Sequence, residues 1–248
     1  MKLRTALPAL AAALLLTPLL TGCGSTGGSG TAAPKPSASD YGCLARDRAD
    51  RGSFALDSVA ARDAYHQDSD AGHAKVAVVL SHENGGSLCD WVPFVEDFTR
   101  AGYGALAFTS AGDVALDVEA AEKYLKGKGV ERVVLIGASK GGTASLAAAA
   151  TPGALPVAAV VTLSSPTYHG SWDGKAAIGK LTVPLFLAVQ ESDQPFAENA
   201  AELAAAATAA PVKELKVYQG TSHGVRLLEQ GTAKADLLAF LAKNAPAG

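Results

Sequence analysis

Six short apolar segments alternate with helical patterns along most of this chain of 248 residues. Four of the six are nearly continuous runs of apolar residues, the pattern of parallel strands that helices cover on both faces. Because the connections are short, this alternation favours an α/β fold with a doubly wound, mostly parallel sheet. The predicted strands are 74–80, 104–109, 132–136, 157–163, 184–189 and 212–218.

The segments between the strands carry apolar residues at helical spacing. Such faces occur around 114–125, 196–207 and 237–241, and Pro93 stands where the first turn of a further helix tolerates proline. Hydrophobic residues make up 48% of the chain, which is enough to bury one sizeable core. The formal net charge of −3 provides no basic surface for nucleic acid.

On a sheet of this kind, catalytic groups collect beyond the carboxyl ends of the strands. After strand 132–136 the chain reads Gly-Ala-Ser-Lys-Gly-Gly, with Ser139 in the middle, and continues into the Ala-rich segment TASLAAAA. A G-x-S-x-G pattern between a buried strand and a helix is typical of a nucleophilic serine on a sharp turn. Gly137 and Gly141 would leave room for strand and helix to approach. The simpler alternative is a glycine turn that only joins the two elements.

A nucleophilic serine needs a base, and the base needs an acid that orients it. His223 and Asp193 each follow a predicted strand, so both are expected at the same edge of the sheet as Ser139. Serine, aspartate and histidine occur in the chain order of one known type of catalytic triad. Glu191, two residues before Asp193, is the alternative acid.

With these motifs, the chain resembles the α/β-hydrolases, and in particular their small dienelactone-hydrolase-like and lipase-like members. The resemblance covers about 75–241, whereas 41–74 has no recognisable counterpart. It implies that Ser139 is the nucleophile, His223 the general base and then acid, and Asp193 the group that orients His223.

The same resemblance implies an oxyanion hole built from two backbone amides. One is the amide of Lys140, and the other comes from the segment 81–86, which is similar to the family's His-Gly-x-Gly turn but has Glu83 in place of the glycine. The match points to the Asn84 amide, although the departure leaves the choice between Glu83 and Asn84 open. His82 is expected to hold this turn through hydrogen bonds.

Lys140 and Glu83 place two charges where this family usually has none. The first interpretation is that they pair at the rim of the site or point to water, which would contribute about 0–1 kcal/mol. The second is that Lys140 attracts esters that carry a negative charge.

Two further groups of residues are possible site components. Residues 66–73 contain two histidines and two aspartates, but their spacing matches no standard calcium or zinc site, so we expect a solvated loop and no metal. Tyr168, His169 and Trp172 follow a strand and either line the cleft or pack its loop. The segment between strands 157–163 and 184–189 is too short for a separate cap domain, which predicts an open site.

The N-terminal segment has the layout of an export signal. Lys2 and Arg4 precede an apolar run that is too short to span a membrane, and the sequence Leu-Thr-Gly-Cys at its end resembles the lipobox of bacterial lipoproteins. We therefore expect a signal peptide at 1–22, lipid attachment at Cys23, and a mature chain that runs from Cys23 to Gly248.

Residues 23–40 are rich in Gly, Ser, Thr, Ala and Pro and are expected to form a flexible tether, followed by the hydrolase domain at 41–248. The two other cysteines, Cys43 and Cys89, are expected to form a disulfide, because an exported chain folds in an oxidising compartment. Two buried free thiols are the alternative.

Taken together, the sequence predicts a membrane-tethered serine hydrolase of carboxylic esters. Thioesters and amides are less favoured substrates. We expect a small-molecule or lipid ester as substrate and an acyl-enzyme intermediate. No metal or organic cofactor and no nucleic acid are expected, and the monomer should lie on the extracytoplasmic face of the cell membrane. The alternative from another functional class is a non-catalytic binding lipoprotein that reuses the same fold.

Overall fold

A computed structural model describes residues 39–59 and 62–248 of the chain. The predicted signal peptide, the lipid-attachment residue Cys23 and the tether up to residue 38 lie outside the described residues. Among the described residues, no helix combines the length and the apolar character that crossing a membrane would require.

The strands of the described residues form one large sheet and one small ribbon. They are β1 (Ser53–Leu56), β2 (Arg62–Gln67), β3 (Val76–Ser81), β4 (Gly104–Phe108), β5 (Arg132–Ala138), β6 (Val157–Leu163), β7 (Tyr168–His169), β8 (Trp172–Asp173), β9 (Leu185–Gln190) and β10 (Lys213–Tyr218). The large sheet has eight strands in the order β1-β2-β4-β3-β5-β6-β9-β10, and β7 pairs with β8. From β4 to β10 all neighbouring strands of the large sheet run parallel.

Helices cover both faces of this sheet. They are α1 (Arg46–Gly52), α2 (Val92–Arg100), α3 (Val114–Gly127), α4 (Lys140–Ala149), α5 (Gly174–Ile178), α6 (Phe196–Ala206) and α7 (Ala233–Asn244), with 3₁₀ turns at Leu88–Asp90 and Gly224–Glu229. Apolar residues of α1, α2 and α7 pack on one face, and those of α3 to α6 pack on the other. Central strands such as β3 are therefore buried at every residue, which explains their uninterrupted apolar sequences.

The predicted α/β class and the six parallel strands are confirmed, each strand to within two residues at either end. The region 41–74, for which no structure was predicted, adds α1 and the antiparallel strands β1 and β2 to the sheet. Both strands are short and β2 is mostly polar, so their sequences lack the long apolar runs that identify the parallel strands.

Two further predictions about this domain are confirmed. Cys43 and Cys89 form a disulfide with their Cα atoms 5.7 Å apart, which ties the start of the domain to the segment after β3. Residues 164–184, all of which the structure describes, contain only the β7–β8 ribbon, α5 and connecting turns. The domain therefore has no separate cap at this position, and the carboxyl ends of the parallel strands stay accessible.

Candidate active site

Ser139 occupies the sharp turn between β5 and α4. Its φ of 48° and ψ of −120° lie in a region that residues other than glycine rarely adopt, and its backbone amide donates a hydrogen bond of 2.8 Å to the Leu163 carbonyl. A strained conformation of this kind persists only where the surrounding structure enforces it, and such residues cluster at functional sites. The turn therefore holds Ser139 in a high-energy backbone conformation at the carboxyl edge of the sheet.

Glycines make this turn possible. A Cβ atom on Gly137 would overlap the backbone of Gly141 and Gly142, and one on Gly141 would overlap the carbonyl oxygens of Ser81 and His82. Helix α4 thus approaches the ends of β5 and β3 with only backbone between them, which is why the chain has glycine on both sides of Ser139.

Asp193 and His223 form a hydrogen-bonded pair. Both carboxylate oxygens of Asp193 lie 3.0 Å from Nδ1 of His223, so Nδ1–H donates and Nε2 is left as the basic nitrogen. The Asp193 side chain is 6% exposed and that of His223 is 32% exposed, so the carboxylate is buried and the imidazole reaches the surface. Glu191 is exposed and does not bind His223, so Asp193 is the acid that contacts the imidazole.

The segments that carry Ser139 and His223 both contact one turn, residues 81–86. Gly141, two residues after Ser139, packs against the start of this turn, and Gly224, directly after His223, packs against the Glu83 carboxylate. Within residues 39–59 and 62–248, no hydrogen bond joins the Ser139 hydroxyl to His223. The structure therefore pairs the histidine with the aspartate and contains no serine–histidine hydrogen bond.

His82 holds the 81–86 turn in place, as the sequence predicted. Its Nδ1–H donates to the Glu83 carbonyl at 2.6 Å, and its Nε2 accepts from the Ser110 amide at 2.9 Å. Burial of the ring lowers the pKa of His82 from its usual value, which favours the neutral imidazole that this pair of bonds requires. His82 is thus a structural residue with both ring nitrogens engaged.

The backbone amides predicted for an oxyanion hole are available as donors. In the part of the chain that the structure describes, the amides of Lys140 and Asn84 donate to no other protein group. The same holds for the amide of Glu83, so the choice between Glu83 and Asn84 stays open. Lys140 begins helix α4, whose N-terminus favours a negative charge at this position.

Glu83 and Lys140 do not pair with each other, so the pairing alternative of the first interpretation is wrong. The Glu83 carboxylate accepts a hydrogen bond of 3.1 Å from the Val225 amide. No carboxylate of the described residues lies within ion-pair distance of Lys140, whose pKa is lowered by burial. The backbone amide was the nearer donor, and sequence alone could not reveal that contact.

A cleft of about 290 Å³ opens at Lys140, the residue directly after Ser139. Its walls include Lys140, Asn84, Asp113, His169 and Trp172, so two of the three aromatic candidates line it. The rings of His169 and Trp172 stack with their centroids 6.0 Å apart. Tyr168 is exposed and does not line this cleft.

Residues 66–73 lie away from this cleft, on β2 and the turn after it. Asp68 accepts hydrogen bonds from the Ser69 and Ala74 amides and from His73, so it holds the turn. Desolvation lowers the pKa of His66 to about 4. No group of three potential metal ligands occurs among the described residues. The expectation of a solvated loop is only partly right, because His66 belongs to a strand and is mostly buried.

Two residues of the site were not assigned a role by the sequence. The Phe196 ring packs on the His223 ring with centroids 4.2 Å apart, and the Gln190 side chain binds the Ser222 amide. Both limit the movement of the histidine loop. Their positions directly at and after strand β9 were the available signal, since the carboxyl ends of β9 and β10 are adjacent.

Comparison with solved structures shows that the domain has the fold of α/β-hydrolases. An esterase from Pyrococcus furiosus superimposes with a TM-score of 0.64 and 19% identity, over 79% of this chain and 91% of that chain. The dienelactone hydrolase from Anabaena variabilis gives a TM-score of 0.62 at 19% identity, over 77% and 95% of the two chains. The enol-lactonase from Burkholderia xenovorans gives 0.58 at 15% identity, over 73% and 97%. No protein-family model and no curated protein sequence matches the chain.

The close contact at Gly141 predicts an unusual effect of alanine. In a helix, Gly→Ala is normally neutral or stabilising by about 0.5–1 kcal/mol. Gly141→Ala should instead lower the free energy of unfolding by about 2 kcal/mol or more, because its Cβ would overlap two carbonyl oxygens. Chemical denaturation measures the difference, and Gly127→Ala is the matched control, since a Cβ there meets no atom within 4 Å. Equal effects of the two substitutions would contradict the packing argument.

Proposed function

We propose that this protein is a membrane-tethered serine hydrolase that cleaves carboxylic esters through an acyl-enzyme intermediate. The observation that carries the proposal is the combination of a strained Ser139 turn with a buried Asp193 that orients His223. The names of the structural neighbours, which include an esterase, a dienelactone hydrolase and an enol-lactonase, support ester hydrolysis.

In the proposed reaction, Nε2 of His223 removes the proton of the Ser139 hydroxyl as the oxygen attacks the ester carbonyl carbon. Asp193 stabilises the imidazolium that forms. The tetrahedral intermediate collapses, and the imidazolium gives its proton to the departing alkoxide. Water, deprotonated by His223, then attacks the acyl-enzyme and releases the acid and Ser139. The serine–histidine hydrogen bond, which the structure does not contain, would form in the complex, since such bonds often tighten on binding.

The negative charge of the tetrahedral intermediate needs donors that are already in position. The Lys140 amide, at the N-terminus of α4, and the Asn84 amide, in the 81–86 turn, are the proposed pair. Both lack a protein acceptor among the described residues, so they would not have to break a bond to accept the oxyanion. The chain, the ester and water supply every proton and bond of this sequence, and no cofactor is required.

The first test is covalent labelling and loss of the nucleophile. The protein should form an adduct with a fluorophosphonate probe at Ser139, detected by mass spectrometry, and should hydrolyse short p-nitrophenyl esters. Ser139→Ala should abolish labelling and lower kcat by at least about 10³-fold, because the acyl-enzyme cannot form. Ser145→Ala, on the buried side of the same helix, is the control for nonspecific effects.

Correctly folded wild-type protein that forms no adduct and hydrolyses no ester would contradict the proposal. That result would leave the non-catalytic binding lipoprotein as the better interpretation of the same fold.

The lysine next to the nucleophile supports a preference for negatively charged esters. Lys140 lines the cleft of about 290 Å³, is partly buried and has no carboxylate within ion-pair distance among the described residues. Asp113 lines the same cleft, but its carboxylate accepts hydrogen bonds from the Ala115 and Leu116 amides at the start of α3. The N-terminus of α3 thus offsets part of the Asp113 charge, and the Lys140 ammonium group is available to the substrate.

This preference is tested with a pair of matched p-nitrophenyl esters, one neutral and one with a terminal carboxylate on the acyl chain. Lys140→Met removes the charge and keeps the backbone amide. It should lower the ratio of kcat/KM for the charged over the neutral ester by about 5- to 10-fold. Lys175→Met, which removes an exposed lysine paired with Glu202, should leave the ratio unchanged. A ratio that Lys140→Met does not alter would dismiss this preference.

The membrane tether of the proposal depends on Cys23 and the predicted tether after it. Lipid on Cys23 would hold the domain at the membrane surface, close to lipid esters as well as to small molecules. Expressed in a bacterium with an alkyne fatty acid, the full chain should incorporate the label and sediment with membranes. Cys23→Ser should lose both properties, while Cys43→Ser should keep the label because that residue belongs to the folded domain. Equal labelling of wild type and Cys23→Ser would contradict lipid attachment.

A further inference from the structure

Glu83 joins two parts of the site that are distant in sequence. It belongs to the 81–86 turn, which follows β3, and its carboxylate accepts the Val225 amide proton at 3.1 Å across a separation of 142 residues. Val225 is two residues after His223 and is buried in the core. One side chain therefore connects the turn that carries the Asn84 amide with the loop that carries the imidazole.

The backbone next to His223 is shaped to receive this carboxylate. Gly224 has a φ of +60°, and a Cβ atom at this position would overlap the Glu83 carboxylate. The Val225 amide has no other acceptor in the described part of the chain. Glycine thus provides both the conformation and the space for the contact, and Glu83 provides the acceptor.

The other restraints on the histidine loop come from β9 and the segment that follows it. Asp193 binds Nδ1 of His223, Phe196 packs on its ring, and Gln190 binds the preceding Ser222 amide. All three belong to β9 or to the segment between β9 and the end of the first turn of α6. Glu83 alone among these groups ties the loop to the β3 side of the cleft, where Gly141 packs against Ser81 and His82.

We propose that Glu83 is a positioning residue, which sets the distance between His223 and the Ser139 turn by bonding the Val225 amide. This role rests on the proposed hydrolase function. The Glu83 carboxylate takes no proton and forms no bond to the substrate. The length of the Glu83 side chain determines this role and its charge does not. An uncharged acceptor of the same length should therefore replace it, and a shorter carboxylate should not.

The experiment compares three substitutions that separate charge from reach. Glu83→Gln keeps the length and an oxygen acceptor, Glu83→Asp keeps the charge and shortens the side chain, and Glu83→Ala removes both. With a neutral p-nitrophenyl ester, the kcat of Glu83→Gln should stay within about 3-fold of the wild-type kcat. Glu83→Asp and Glu83→Ala should each lower kcat by about 10- to 100-fold with little change in KM. This loss of kcat is the size expected from losing a hydrogen bond to a charged group.

Hydrogen exchange of the 223–226 backbone gives a second measurement that does not depend on activity. The Val225 amide should exchange slowly in wild type and in Glu83→Gln, and at least about 10-fold faster in Glu83→Asp and Glu83→Ala. Glu229→Ala is the control, because this exposed residue lines a separate cavity together with Glu83 and Val225 and binds no other group among the described residues. Circular dichroism and thermal unfolding establish that each variant is folded.

The possible results separate the two proposals. The positioning role is supported if Glu83→Asp and Glu83→Ala lose both kcat and the protection of the Val225 amide, while Glu83→Gln keeps both. Wild-type kcat in Glu83→Ala, or activity lost equally in Gln and Ala, overturns it, as does unchanged exchange in every variant. If wild type neither labels at Ser139 nor hydrolyses esters, the hydrolase proposal fails and the positioning role fails with it. The exchange measurement would then still report whether the Glu83–Val225 bond exists.

Discussion

The backbone contact between helix α4 and the ends of β3 and β5 is the constraint on which the site depends. At Gly137 and Gly141 no side chain separates the helix from the strands, and Ser139 is held in a conformation that residues other than glycine rarely adopt. The strain is maintained because strand and helix are fixed by the core on both sides of the turn. The serine is therefore positioned by packing that involves no catalytic group.

The 81–86 turn transmits this constraint to the other half of the site. On one side it contacts Gly141 through backbone carbonyls, and on the other side Glu83 bonds the Val225 amide. His82, with both ring nitrogens hydrogen-bonded and its pKa lowered by burial, keeps the turn itself in one shape. Serine, proposed oxyanion donors and histidine thus belong to one connected arrangement, although three separate strands carry them.

The parallel part of the fold could be predicted because burial on both faces leaves a strong signal in the sequence. Strands such as β3 and β5 have almost no polar residues, so their number and limits were clear. The antiparallel strands β1 and β2 were not predicted, because both are short and RDAYHQ reads as a polar loop. Pairing with β4, a contact distant in sequence, makes this segment a strand.

By itself, the sequence determined which residues stand after the strands: Ser139 between its glycines, Asp193 and Glu191 after β9, and His223 after β10. It also indicated the Cys43–Cys89 disulfide. Only the tertiary structure decided that His223 pairs with Asp193 and not with Glu191, and that Glu83 binds Val225 and not Lys140. The physical reason is that local patterns specify where a side chain starts, whereas its partner depends on distances between loops that the packed sheet sets.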